Sequence, residues 1–401
     1  MKTFLSLFLT ALLIIGFTAR AQQFQNYTSA NGLPSDNVLG VAVDATNQIW
    51  FGTQSGVARL SNSAWTVYTT ANGLIDNYIN CIAVDAQDHV WAGTDYGVSM
   101  FNGSTWTNYT TANGLIDNMI SRIAGAPDGS VWIGTQSGVS HYNGTTFTNY
   151  TTANGLPSDM ISCIAADDNN VWFGTFIGGL SKFNGTTFTN YTMADSLPSE
   201  NITAIALGNN GTKWIGTYSG VAVFNASDQW VTTYRQAQGL YNNFIQDITM
   251  DSRGTMWFAI YDPYTMDGAV TRYDDGFWSS FTTSNGLVNY LVKRIATDGS
   301  DNEWVATGSG VSKIYDIYLG TGEIQGTLSG LYPNPAGEVV HLDGVASAGQ
   351  VEIRSTDGRK VFSSAVMAGS NTLPVNGLAR GIYLARCTTS AGTSTGKLVI
   401  R

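Results

Sequence analysis

Trp50-Phe51-Gly52-Thr53 returns as Trp91-Ala92-Gly93-Thr94, Trp132-Ile133-Gly134-Thr135, Trp172-Phe173-Gly174-Thr175 and Trp214-Ile215-Gly216-Thr217, then loosens to Trp257-Phe258-Ala259 and Trp304-Val305-Ala306. The tryptophans stand 41, 41, 40, 42, 43 and 47 residues apart, a period in the range of propeller blades. A second anchor is the turn Asn-Gly-Leu, with its glycine at Gly32, Gly73, Gly114, Gly155, Gly239 and Gly286 and with Ser196 standing in once. The third is an aromatic pair ending five residues before that turn position: Phe24/Tyr27, Trp65/Tyr68, Trp106/Tyr109, Phe147/Tyr150, Phe188/Tyr191, Trp230/Tyr234 and Trp278/Phe281. All three anchors count seven.

Within the second period four short strands fall over 79–84, 90–94, 97–101 and 105–110, each rich in β-branched or aromatic residues and bounded by Gly, Asn or Asp. Four such strands make a propeller blade. The first aromatic pair precedes the first Trp strand, and Trp304 has no pair after it. Residues 24–28 are therefore expected to supply the outer strand of the last blade, whose other strands lie within 292–314, and this closure removes exposed sheet edges. The expected fold is all-β: a signal peptide over 1–21, a seven-bladed β-propeller over 22–318, a linker over 319–330 and a small immunoglobulin-like β-sandwich over 331–401. Composition agrees, since glycine is 45 of 401 residues and charged residues only 12%.

Lys2, an apolar run over 5–17 and Ala19-Arg20-Ala21 form the positive start, apolar body and small-x-small end of a signal peptide, which places the mature start at Gln22. Beyond it no apolar stretch approaches the roughly 18–20 residues of a membrane-spanning helix. A net charge of −10 argues against nucleic acid, whose binding rests on Lys and Arg neutralising phosphates. Three cysteines, Cys81, Cys163 and Cys387, exclude a fully paired disulfide framework. Cys81 and Cys163 hold one repeat position in non-adjacent blades, too far apart to bridge, and read as small buried hydrophobes.

The tail runs through Leu331-Tyr332-Pro333-Asn334-Pro335, Val351-Glu352-Ile353-Arg354, Thr356-Asp357-Gly358-Arg359, Leu378-Ala379-Arg380-Gly381-Ile382-Tyr383-Leu384 and Gly396-Lys397-Leu398-Val399-Ile400. In order and spacing it resembles the type A C-terminal sorting domain of Bacteroidetes type IX secretion cargo. The resemblance implies a β-sandwich read by the type IX secretion machinery, with export through the periplasm to the cell surface or beyond. The repeats, with Trp-Ile/Phe-Gly-Thr, Gly-Val and Asn-Gly-Leu-Pro-Ser, resemble the two-component regulator propeller repeat, whose blades form ligand-sensing halves of hybrid sensor kinases. This chain shows neither a spanning helix nor a kinase region, so the resemblance implies a capacity to bind but not to signal across a membrane.

The only histidines, His89, His141 and His341, share no repeat position, and no catalytic or metal cluster is visible. A distant likeness to streptogramin-type lyases lacks the histidine and acid constellation of that activity. No cofactor is expected. Asp167-Asp168-Asn169-Asn170 and Asp298-Gly299-Ser300-Asp301-Asn302 could hold calcium, but they fall where hairpins need Asp, Asn and Gly. The seven tryptophans read as packing between blades rather than a sugar platform.

Function is sought where the repeat breaks. In blade six the turn between second and third strands, Ile260-Tyr261-Asp262-Pro263-Tyr264-Thr265-Met266-Asp267-Gly268, is about five residues longer than Thr53-Gln54-Ser55-Gly56, and insertions in repeats gather on binding faces. On the innermost strands one position reads Gly40, Cys81, Arg122, Cys163, Ala204, Asp247, Arg294, with Lys293 beside the last. Charges there rarely lie buried without partners. They stand either as a salt-bridged plug of Asp247 with the arginines or as a ligand site. Nearer the mouth come Tyr78, Met119, Met160, Phe244 and Leu291. The candidate ligand residues are thus Tyr78, Met119, Arg122, Phe244, Asp247, Tyr261, Tyr264, Lys293 and Arg294. The expected function is a secreted, non-enzymatic binding propeller for a glycan, peptide or protein ligand. A lyase or hydrolase acting at the channel mouth and a structural or adhesion protein of the cell surface are the alternatives.

Overall fold

The computed structural model describes residues 20–318, 324–327, 331–332, 334, 336–355, 359–390 and 392–401. Most of the expected signal peptide lies outside them. Two compact units divide the chain, Phe24–Tyr315 and, beyond it, Asp316–Arg401.

The first unit holds seven four-stranded antiparallel sheets. Blade three shows the plan, with Ile120–Gly125, Val131–Thr135, Val139–Tyr142 and Phe147–Tyr150 pairing in that order. The last sheet runs Arg20–Tyr27, Gly310–Tyr318, Glu303–Thr307, Val292–Thr297, so the amino-terminal strand closes the ring. Tyr27 stacks on Trp304 at 5.6 Å and Phe24 meets Phe281 at 5.9 Å, joining blade seven to blade six.

Each repeated residue has a local reason. All seven motif tryptophans are buried. The aspartate that opens the preceding hairpin turn holds several of them: Asp44 accepts the indole N–H of Trp50, Asp85 that of Trp91 and Asp298 that of Trp304, each at 2.8 Å. The other oxygen of Asp298 accepts the amides of Ser300 and Asn302, and Asp167 accepts those of Asn169 and Asn170. In the Asn-Gly-Leu turn, Asn72 Oδ1 accepts the Thr69 amide, Gly73 takes a φ of 109° and Leu74 is buried. Ser196 adopts the same left-handed conformation, φ 74°.

The glycine of Trp-x-Gly-Thr answers a neighbouring blade. A Cβ at Gly134 would lie 2.6 Å from Ile161 Cγ2, and Gly52, Gly93, Gly174 and Gly216 meet Ile79, Ile120, Ile202 and Ile245 in the same way. Where the glycine is alanine, at Ala259 and Ala306, the packed clusters hold the smaller Val292 and Val38 instead. The extra methyl on one side of the interface thus goes with one fewer on the other.

Six of the seven innermost strands carry a register shift at their start, as between Ile120 and Arg122. Such a bulge leaves one residue unpaired and re-aims the next. The unpaired residue stitches blades together: Ser121 Oγ donates to the Ile161 carbonyl at 2.7 Å and Ser162 Oγ to that of Ile202 at 2.5 Å, and in the blade without a shift Asn80 Nδ2 donates likewise to that of Ile120 at 3.1 Å. Ser121→Ala is expected to cost about 1 kcal/mol, read as a lower urea midpoint at unchanged m-value; an unaltered midpoint would remove the stitch from the account.

The second unit is a two-sheet sandwich. One sheet orders Ile324–Thr327, Gly392–Ile400, Gly381–Thr389, Gly349–Ser355, Lys360–Val366, the other Leu331–Tyr332, Val339–Val345, Gly369–Pro374. Alternate residues Val340, Leu342, Val351, Ile353 and Ala385 are buried between them. Ile324–Thr327, read from its Gly-rich flanks as linker, pairs parallel with Gly392–Ile400; a short strand at a sheet edge needs no long apolar run to announce it.

Candidate functional site

The bulged register brings Gly40, Cys81, Arg122, Cys163, Ala204, Asp247 and Arg294, one residue from each blade, onto the wall of a single central cavity of about 160 Å3. Leu39, Val41, Ile82, Ile123, Ile164 and Ile205 complete it. Cys81 and Cys163 are free thiols, pushed by burial up to about 11 and about 12.

The salt-bridged plug is not what the channel holds. Among the described residues Asp247 forms no ion pair; its two oxygens accept the amides of Ile248 and, across the blade boundary, Ile295, both at 3.1 Å. Arg122 donates to the Ser121 carbonyl at 3.3 Å, and Arg294 to those of Gln246 at 3.2 Å and Lys293 at 2.6 Å. The arginines thus find the carbonyls of the unpaired bulge residues, and Asp247 finds amides, in place of opposite charges. Asp247 faces the cavity and keeps some accessible surface, yet protein surrounds it. Its desolvation outweighs the attraction of Arg122 and lifts its pKa to about 6.

Lys293 leaves the cavity. It occupies the unpaired bulge position and its ammonium donates to Asn37 Oδ1 of blade one, stitching the ring across its closure; burial lowers its pKa. Of the charges singled out from sequence, Arg122, Asp247 and Arg294 meet in the cavity and Lys293 is structural.

With four antiparallel strands per blade, the starts of the innermost strands and the turns between second and third strands share one face. Tyr78, Met119 and Met160 are exposed there, while Phe244 and Leu291 are half-buried. The blade-six insertion is not simply a longer loop. The hairpin continues for two further pairs, Tyr261 with Gly268 and Asp262 with Asp267, before turning over residues 263–266, because alternating side chains there find partners. Tyr241 Oη donates to Asp267 at 2.6 Å and Asn242 Nδ2 to Asp262 at 3.0 Å. Tyr264, at the tip, is 84% exposed and contacts Phe244 at 5.6 Å; Phe244 contacts Tyr218 at 5.7 Å. Tyr261 points elsewhere and stacks on Tyr290 at 6.3 Å.

The sequence reading passed over Tyr218, and with it Tyr96, Phe176 and Ile177. All four sit in the short turns that read Gln54-Ser55 and Gln136-Ser137 in blades one and three; large apolar residues in place of Gln-Ser were the available signal. Likewise His89 and His141, at different repeat positions, line one cavity of about 390 Å3 between blades two and three at the opposite face. His89 Nδ1 lies 3.0 Å from Asp85 Oδ2, and His141 stacks on Trp132 at 4.1 Å, where burial lowers its pKa.

Residues 61–96, 114–137 and 155–176 match the two component regulator propeller model, and residues 330–401 match the secretion system C-terminal sorting domain model. No curated protein matches the chain. Among solved structures, the extracellular domain of a hybrid two component system of B. thetaiotaomicron is 17% identical at a TM-score of 0.64, over 94% of this chain and 57% of that one. PorZ, an essential surface component of the type-IX secretion system of Porphyromonas gingivalis, is 15% identical at 0.59, over 92% and 60%. A streptogramin B lyase is 14% identical at 0.61, over 75% and 100%. The chain thus spans about three fifths of the length of the first two. At such identities the likeness carries the fold alone. The repeats are two component regulator propeller repeats, and the tail is a type IX sorting domain, which indicates secretion or cell-surface export. No helix among the described residues is long and apolar enough to cross a membrane.

Proposed function

Starting from a propeller that carries a type IX sorting tail, we propose that this protein is a non-enzymatic binding module, taking a glycan, peptide or protein partner on the face of the channel mouth after passage through the periplasm. The observation that carries this reading is where exposed apolar surface lies. Among the described residues of the propeller fourteen large apolar side chains are exposed, and ten of them, Tyr78, Tyr96, Met119, Met160, Phe176, Ile177, Met193, Tyr218, Tyr264 and Met266, are at that one face. Concentration of this kind marks an interaction surface, whereas scattered apolar residues need no explanation. Tyr218, Phe244 and Tyr264 form a run of rings able to stack on sugar or side-chain faces, each contact adding about 0.5–1.5 kcal/mol beyond its area.

The test is a screen of the mature chain against glycan and peptide arrays, repeated with the Tyr218→Ala/Tyr264→Ala variant. Wild type is expected to bind, and the variant to bind at least about tenfold more weakly with an unshifted denaturation midpoint, because both rings protrude. Blank arrays would favour the structural or adhesion alternative. The enzyme alternative draws on Asp247, whose raised pKa in a cavity suits a general acid. Any substrate turnover abolished by Asp247→Asn would establish it.

A further inference from the structure

We infer that the central cavity is a binding site for a small free oxyanion, a carboxylate or sulfate, held between the guanidinium groups of Arg122 and Arg294. Both side chains line the cavity. A guanidinium carries five N–H donors and no acceptor, yet among the described residues Arg122 has one hydrogen bond, to the Ser121 carbonyl, and Arg294 two, both from Nη1. Among the described residues their remaining donors have no acceptor. The one carboxylate in the cavity, Asp247, spends both oxygens on the amides of Ile248 and Ile295.

Charge points the same way. Two arginines against one aspartate leave the cavity wall at +1 with Asp247 ionised, inside a chain whose net charge is −10. Positive charge gathered on the wall of a confined cavity attracts an anion, and planar guanidinium forks suit the paired oxygens of carboxylate or sulfate. The volume, about 160 Å3, is well above the roughly 10–15 Å3 that one water needs. This site goes beyond the aromatic face: it uses none of those rings and would stand if that face bound nothing.

The experiment titrates the mature chain with sodium malonate and with sodium sulfate, against sodium chloride at matched ionic strength, by calorimetry and thermal denaturation. Wild type is expected to show saturable heat with at least one of the two oxyanions and a midpoint raised by about 2 °C or more at saturation. Arg122→Met and Arg294→Met should each weaken binding at least about tenfold. Asp247→Asn, which removes the competing negative charge, should strengthen it severalfold and keeps the proposal falsifiable should the arginine variants fold poorly. Wild-type midpoints that follow chloride alone would overturn it, as would saturable heat that survives in the doubly substituted arginine variant or an Asp247→Asn chain that binds no more tightly than wild type.

Discussion

Gly134→Ala is expected to destabilise the propeller by about 2–3 kcal/mol, and to cost far less in a chain that already carries Ile161→Ala. The added Cβ would sit 2.6 Å from Ile161 Cγ2 and 3.0 Å from its Cβ, closer than carbon atoms approach, and both residues belong to central strands that cannot move apart without opening the ring. Overpacking of this kind costs roughly 1–3 kcal/mol. Ile161→Ala alone should cost about 2–5 kcal/mol, the ordinary loss for truncating a buried isoleucine. In the double variant the clashing Cγ2 is gone and the new methyl fills part of the space it leaves, so the pair should be coupled by well over 1 kcal/mol. Where the repeat itself carries alanine, at Ala259 and Ala306, the packed clusters hold Val292 and Val38 in place of isoleucine. Urea denaturation of the two single variants and the double closes the cycle. Additive losses would show that the glycine serves something other than the facing isoleucine.

Asp247→Asn is expected to stabilise the protein at neutral pH by about 2–3 kcal/mol. Asp247 ionises in the folded chain at about 6 instead of its ordinary 3.8, chiefly because burial disfavours the charged form. The folded state therefore holds this proton more tightly than the unfolded state does. Stability contributed by the proton is fully present below the ordinary value, is lost as pH rises between about 4 and 6, and is absent above. A difference of two units corresponds to about 3 kcal/mol, of which some is screened because the carboxyl keeps accessible surface in the cavity. Asparagine does not titrate and retains an acceptor for one of the two amides. The excess stability of the variant should thus grow from near zero at pH 4 to its full value by pH 7. Because other carboxylates titrate equally in both proteins, the difference between their stability curves isolates this group. A difference that does not change between pH 4 and 7 would contradict the burial of the charge.

The propeller and its site were legible to different depths. Seven blades could be counted because each solves the same local problem: an indole held by its turn, a left-handed turn residue, a buried leucine behind it. The closing strand followed from the offset between Phe24 and Trp304, an ordering visible in one dimension. The cavity wall was legible for a related reason, since a strand repeated in register brings one position of every copy to one place. Arg122, Asp247 and Arg294 therefore meet as their shared position predicts.

Side-chain partners were another matter. Lys293 sits beside Arg294 in sequence, yet the bulge turns it to Asn37, 256 residues away, and that contact exists only because the ring closes. Whether Asp247 would pair with an arginine or with backbone depended on which donors the folded ring set closest, and those are the amides of Ile248 and Ile295. Tyr264 found Phe244 while Tyr261 found Tyr290, a division set by how far the blade-six hairpin continues its ladder. Repetition along the chain specifies architecture because every blade obeys the same short-range rules. The contacts that make one blade differ from the next arise only when the folded ring brings distant, unrepeated residues together.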